Sequence, residues 1–128
     1  MNWLDRVREF PPVRRFHLFG IAGSILLLVC VAVAMIAYVG TAGELFSILN
    51  HFISELGHVG VSRLAPVFNA GLVAGGVLYV PFVLGLGAAL GGWWAAAGTA
   101  AGLVAAAAVA CVGIYPMNNL PPHYAAAK

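Results

Sequence analysis

The sequence predicts an all-α integral membrane protein, a bundle of three transmembrane helices with one short interfacial amphipathic helix. The 128-residue chain is 62% hydrophobic and only 8% charged, with a mean hydropathy of +0.98, which lies outside the soluble globular class. No Asp, Glu, Lys or Arg occurs between Arg15 and Glu44, or from Leu64 to Ala127. Uncharged apolar runs of about 20 residues are long enough to span a bilayer.

The first transmembrane helix is predicted over residues 18–39, after an N-terminal segment, 1–17, that is expected to be cytoplasmic. At a rise of about 1.5 Å per residue the run reaches roughly 33 Å, which matches one crossing. A secretory signal peptide is the alternative, because Arg14 and Arg15 precede the run. A retained helix is favoured, since the run exceeds the apolar region of a signal peptide and no small-residue cleavage site follows it cleanly.

An interfacial helix is predicted over residues 44–56. Its apolar residues follow the i, i+3, i+4 spacing of one helix face, and they are Leu45, Ile48, Leu49, Phe52, Ile53 and Leu56. Such a helix reaches only about 20 Å, so it should lie along the membrane surface and not cross it. Gly57 is expected to end the helix in a left-handed conformation.

The uncharged run after Leu64 is too long for one crossing, and it divides at the Gly-Gly-Trp-Trp string of residues 91–94. Adjacent glycines favour a turn, and tryptophan prefers the membrane interface. The second transmembrane helix is therefore predicted over 68–90 and the third over 94–115.

The basic residues predict the orientation. Four of the six Lys and Arg residues precede the first helix, namely Arg6, Arg8, Arg14 and Arg15. We therefore expect a plasma-membrane protein with a cytoplasmic N-terminus. Three crossings then place the 40–66 segment and the 116–128 tail outside. The net charge of +2 does not indicate a nucleic-acid partner, because the basic residues flank a lipid-facing helix.

Small residues four positions apart predict where the helices pack, since close backbone approach drives helix association in lipid. The pairs are Gly71 and Gly75, Gly87 and Gly91, and Gly98 and Gly102. Asn69 is expected to bond to a neighbouring helix or to cap the backbone. These surfaces could close within the chain or between chains, so a homo-oligomer or a larger membrane complex is expected.

The polar side chains of the outer region are the candidate site. His51, Ser54, Glu55 and His58 lie in or just after the predicted interfacial helix, and the topology places His123 on the same side of the membrane. His51 and Glu55 are spaced i, i+4, which brings side chains together on a helix. These five residues are the candidates for catalysis.

Three interpretations of this site remain open. His51, His58 and His123 could hold zinc, although no cofactor is required and no compact signature such as HExxH is present. The site could instead bind a lipid headgroup or supply an acid–base pair. The simplest alternative is an interfacial helix that keeps its polar face in water, with Glu55 paired to Arg63. A non-enzymatic role is favoured, and the question of catalysis stays open.

Three strings in the chain suggest a family: Ile53-Ser54-Glu55-Leu56-Gly57, then Phe68-Asn69-Ala70-Gly71, then Gly113-Ile114-Tyr115-Pro116-Met117-Asn118 with His123. Over about residues 18–127 they resemble a prokaryotic multi-spanning membrane family of unknown function that is grouped with the Frag1/DRAM/Sfk1 type. The resemblance implies an α-helical bundle and a link to lipid handling, without an established reaction. Members typically carry about six helices, so the resemblance implies a short form, a fragment or one half of an assembly.

The function expected from these observations is lipid binding or remodelling at the outer face, with membrane lipids as partners. The alternative is a small structural or accessory subunit of a larger membrane complex.

Overall fold

The computed structural model describes residues 15–118 and residue 121, and residues 15–118 form three α-helices. These are α1 (Phe16–Ile36), α2 (Ala65–Leu90) and α3 (Gly92–Ile114), and each is long and apolar enough to cross a membrane. The all-α class and the three candidate spans confirm the predicted fold class of a multi-pass membrane protein. The helices begin and end within a few residues of the predicted bounds.

The second helix lies between the other two. Both α1 and α3 pack on α2, and they make little contact with each other. The three helices therefore form an open layer, and most of each helix surface faces outward. Only small fractions of the three apolar spans are buried, 22%, 17% and 11% in chain order.

The six glycines that were predicted to pack fall into three groups. A Cβ added at Gly71 would lie 2.6 Å from the Sγ of Cys30 on α1, and one at Gly75 would lie 2.7 Å from Leu27. Gly87 and Gly102 lie between α2 and α3, where an added Cβ would contact Thr99 and Val83, respectively. A Cβ at Gly98 or at Gly91 would meet no atom within 4 Å.

Four glycines at helix contacts were missed, because none of them has another glycine four residues away. Gly20 and Gly23 lie on α1 against side chains of α2, namely Phe82, Leu78 and Tyr79. An added Cβ at Gly76 would lie 2.6 Å from the carbonyl oxygen of Ala106, and one at Gly113 would lie 2.5 Å from that of Asn69. These last two positions bring α2 and α3 into backbone contact.

The turn between α2 and α3 depends on its two glycines. Gly91 and Gly92 have φ angles of 66° and 79°, a region that side-chain-bearing residues rarely adopt. The turn is tight enough for α3 to begin at Gly92 itself. Trp93 and Trp94 follow at once, and both side chains are exposed.

The segment between α1 and α2, residues 37–64, is called the 37–64 loop, and it lies at one end of the layer, called the loop end. The predicted α-helix over 44–56 does not form there. Val39 and Leu45 form an antiparallel β-bridge. A single turn follows, in which the amide of His51 donates to the carbonyl of Ser47 over 2.9 Å. Phe52 is extended, with φ −80° and ψ 143°, and a short 3₁₀ helix covers Ile53–Gly57.

Side chains that bond to the nearby backbone explain the difference. The carboxylate of Glu44 accepts from the amide of Ala42 over 2.8 Å, and that of Glu55 accepts from the amide of Phe52 over 2.9 Å. Such local bonds compete with the i to i−4 bonds of a helix. The predicted left-handed end at Gly57 is also wrong, because the glycines of the loop with positive φ are Gly43 and Gly60.

Candidate functional site

The candidate site centres on Tyr38, which lies two residues after α1 and is buried. Its ring belongs to the apolar core of the loop end, together with Ala34, Leu56 and Phe68. Its hydroxyl donates to Oε2 of Glu55 over 3.3 Å. Because the other carboxylate oxygen of Glu55 accepts from the amide of Phe52, Glu55 joins the end of α1 to the start of the 3₁₀ helix.

The environment of Tyr38 keeps its hydroxyl protonated. Burial raises the pKa of the Tyr38 hydroxyl above its ordinary value, and the negative charge of Glu55 and the hydrogen bond to Glu55 raise it further. The charge of Glu44 makes a smaller contribution to the pKa in the same direction. Tyr38 is therefore a hydrogen-bond donor in this site and not a base.

His51 is held by stacking and by one backbone bond. Its ring centroid lies 5.4 Å from that of Tyr38 and 5.5 Å from that of Phe46. Its Nδ1 accepts from the amide of Ser47 over 3.2 Å, which assigns the proton of a neutral imidazole to Nε2. That Nε2 lies 3.9 Å from Oε1 of Glu44.

The structure does not pair His51 with Glu55. The i, i+4 argument required a continuous helix, and the extended Phe52 interrupts it. His51 lies near the carboxylate of Glu44 instead, and Glu55 accepts a hydrogen bond from the Tyr38 hydroxyl. The predicted pair of Glu55 with Arg63 is also absent from the described part of the chain, where the one contact within 4.0 Å between a carboxylate and a basic side chain joins Glu44 and His51.

Ser54 and His58 lie apart from this hydrogen-bonded group. The hydroxyl of Ser54 contacts the Sδ of Met117 over 3.9 Å, so it is not oriented toward a histidine that could activate it. His58 is half-buried, and its backbone closes the 3₁₀ helix through a bond to the carbonyl of Glu55. No nucleophile and base are therefore joined among the described side chains of the candidate set.

Two asparagines fix the 37–64 loop to the helices. The side-chain amide of Asn118 both accepts from the amide of Val59 over 2.8 Å and donates to its carbonyl over 2.6 Å. The Nδ2 of Asn69 donates to the carbonyl of Gly57 over 3.1 Å. Asn69 thus bonds to a backbone carbonyl of the loop and not to another transmembrane helix, and the chain just after α3 lies beside the loop.

The zinc prediction depends on His123, which lies outside the described residues. Within the described ranges, no group of three His, Cys, Asp or Glu side chains is placed to hold a metal ion. The zinc site of His51, His58 and His123 therefore stays a prediction.

The outward surface of the loop end is apolar. Leu49 is 93% exposed, and the side chains of four neighbours in the same segment are more than half exposed: Leu45, Ile48, Phe52 and Ile53. These five side chains are called the apolar loop surface. The polar His51 and Glu55 are less exposed than these apolar side chains. The segment is thus amphipathic, although it is not a helix.

The comparisons with known proteins give a family and no function. No curated protein and no solved structure shows a significant match to the chain. The sequence model of DUF998, described as a protein of unknown function, matches residues 21–127, which run from the first turns of α1 to the tail. This match covers well over half of the chain, and the three apolar spans agree with a membrane protein. The chain therefore belongs to the DUF998 family of proteins of unknown function.

Proposed function

We propose that the protein associates with membrane lipid at its loop end, and that it binds lipid there without hydrolysing it. The observation that carries the proposal is the apolar loop surface, defined above by Leu45, Ile48, Leu49, Phe52 and Ile53. Large apolar side chains gain free energy when they leave water. The loop end lies at one end of the three apolar spans, which is where a membrane has its boundary between headgroups and acyl chains.

Continuity with α1 supports this proposal. Ile36, the last residue of α1, is 85% exposed, and Val39 at the start of the loop is partly exposed as well. The outward apolar surface thus runs from a membrane span into the loop without a charged residue between Arg15 and Glu44. A surface of this kind favours acyl chains over water along its whole length.

The polar group beneath the surface supports binding more than catalysis. The carboxylate of Glu55 accepts hydrogen bonds from the Tyr38 hydroxyl and from the amide of Phe52. Glu44 and His51 accept from local backbone amides. Ser54 has no histidine partner among the described residues. The link to the Frag1/DRAM/Sfk1 group belongs to the same proposal, because it too implies lipid handling.

A nitroxide spin label tests the position of the loop. Leu49→Cys, in a background with Cys30→Ala and Cys111→Ala, is labelled and reconstituted in phospholipid vesicles. We expect relaxation by oxygen to exceed relaxation by a water-soluble nickel chelate, because oxygen partitions into the acyl region. Ala42→Cys is the matched control, since Ala42 is an exposed residue of the same loop that lies in the tight turn at 40–43. Equal nickel accessibility at the two positions would contradict lipid association.

The second candidate function is that of a structural or accessory subunit, either in a homo-oligomer or in a larger membrane complex. The open layer favours it, because α1 and α3 each pack on α2 and leave their other faces without a partner in the described chain. The open position beside Gly98 offers a close approach to a further helix. Extraction of native membranes into polymer-bounded discs, followed by mass spectrometry, tests this function, and a lone monomer would contradict it.

A further inference from the structure

A groove between α1 and α2 lies at the end of the layer opposite to the 37–64 loop. It has a volume of about 440 Å³, and it is lined by His17, Gly20, Ile21, Ser24, Ile25, Tyr79 and Phe82. From His17 to Ile25 it follows α1 for about two turns, or roughly 12 Å. The groove thus begins at the end of the span and extends toward the middle of the bilayer.

The walls of the groove suit an acyl chain. The only polar side chains along the walls beyond His17 are Ser24 and Tyr79, and their hydroxyls bond to each other over 2.7 Å. This bond satisfies both groups and leaves an apolar lining. Phe82 forms one side and is held between Phe16 and Tyr79, at centroid distances of 6.2 and 5.8 Å. Gly20 lets Phe82 approach α1, since an added Cβ would lie 2.6 Å from its ring.

The mouth of the groove lies near an arginine. His17 lines it, and the exposed Arg15 lies directly before α1. A second groove, of about 480 Å³, lies between α2 and α3 near the Gly-Gly-Trp-Trp turn. Among the residues that the structure describes, neither groove is lined by Asp, Glu, Lys or Arg, and the second is not lined by a histidine either. His17 and the nearby Arg15 therefore distinguish the first of these two apolar grooves of similar size.

We infer that the groove between α1 and α2 binds one anionic phospholipid. An acyl chain lies along Ile21 and Ile25, and the headgroup phosphate pairs with Arg15 and His17. Basic pockets between transmembrane helices are known to hold anionic headgroups, and guanidinium binds phosphate through charge-assisted hydrogen bonds. This site lies at the opposite end of the layer from the apolar loop surface, so it does not rest on the proposed function.

Native mass spectrometry with defined lipids tests the site. Purified protein in mild detergent is mixed with phosphatidylglycerol or with phosphatidylcholine of the same chain length. We expect one phosphatidylglycerol adduct that survives activation better than the phosphatidylcholine adduct. Arg15→Gln should weaken phosphatidylglycerol binding about fivefold, which is the contribution of one basic residue to the affinity for an anionic surface. The matched control is Arg63→Gln, which removes an exposed arginine from the loop end.

A second pair of variants tests the acyl part of the site. Ile21→Trp should fill the groove and reduce the phosphatidylglycerol adduct, whereas Gly98→Leu, in the groove between α2 and α3, should leave it unchanged. Equal retention of the two lipids by the wild-type protein would overturn the inference. An equal loss in Arg15→Gln and Arg63→Gln would overturn it as well. If a second copy of the chain occupied the groove, the wild-type protein would form dimers that Ile21→Trp disrupts, and it would prefer neither lipid. This result would also overturn the inference.

Discussion

Single residues at the loop end join parts of the chain that are distant in sequence. Tyr38 connects the end of α1 to the 3₁₀ helix through Glu55, and Asn118 connects the end of α3 to Val59. Each connection uses side-chain atoms to bond groups that no regular helix would pair. The arrangement of the 37–64 loop therefore depends on a few hydrogen bonds, and individual substitutions should report on it.

The pH dependence of stability should reveal the environment of Tyr38. Because burial and Glu55 raise the pKa of Tyr38 in the folded protein, its stabilising contribution is complete below the unfolded pKa of about 10 and is lost as pH rises through the folded pKa. We expect the melting temperature of the wild type to fall more steeply above about pH 10 than that of Tyr38→Phe. Thermal unfolding in detergent from neutral to alkaline pH measures the difference.

At neutral pH the same variant should lose a little stability, about 0.5–1.5 kcal/mol, because Glu55 loses one donor. Parallel melting curves for the two proteins throughout the alkaline range would contradict the assignment of a raised pKa to Tyr38.

Asn118→Ala should loosen the middle of the 37–64 loop. The variant removes both bonds to Val59, and the exposed position limits the cost to about 1 kcal/mol. Hydrogen–deuterium exchange in the peptide that contains Val59 should therefore be about fivefold faster. Asn50→Ala, at an exposed asparagine of the same loop, is the control. Unchanged exchange at Val59 in Asn118→Ala would show that these bonds do not hold the loop in solution.

At the scale of the helices, packing is set by where backbones approach closely. Gly71 and Gly75 admit side chains of α1, whereas Gly76 and Gly113 bring α2 and α3 into backbone contact. A side chain can adjust to an added methyl group, and a backbone carbonyl cannot without moving the helix. The two interfaces of α2 should therefore differ in their tolerance of substitution.

Gly76→Ala should destabilise the contact of α2 with α3 by about 1–3 kcal/mol, the usual cost of overpacking. Gly98→Ala should cost nothing, because its Cβ would enter open space and alanine favours the helix. Reversible unfolding in mixed micelles compares the two variants. If Gly98→Ala lost as much stability as Gly76→Ala, another helix would have to cover Gly98, which would favour the oligomer.

How far the sequence determines the fold differs from element to element. The uncharged runs identified all three helices, because the cost of placing a charge in lipid is large and applies to every residue of a span. The prediction of a helix over 44–56 was wrong. The apolar spacing of this segment fits a helix, but the hydrogen bonds of Glu44 and Glu55 to local amides favour turns. In the site, the spacing of His51 and Glu55 did not reveal Tyr38 as their neighbour, since that contact depends on how the loop folds back on α1.

At the scale of the whole molecule, the orientation in the membrane can be tested by labelling. In a background with Cys30→Ala and Cys111→Ala, Ala42→Cys and Trp93→Cys place thiols at the two ends of the layer, both at exposed positions. With a cytoplasmic N-terminus, an impermeant maleimide added to intact cells should label position 42 and not position 93. The reverse pattern would place the N-terminus outside, and labelling of both positions would contradict the three crossings.

The central place of α2 also bears on how the molecule is made. Because α1 and α3 each contact α2 and scarcely contact each other, a helical hairpin of the first two spans can form before the third leaves the ribosome. The last span would then dock on α2, and Asn118, just after α3, would bond to the loop. Assembly of the helices in the membrane would follow the order of synthesis, and the 37–64 loop would be fixed last.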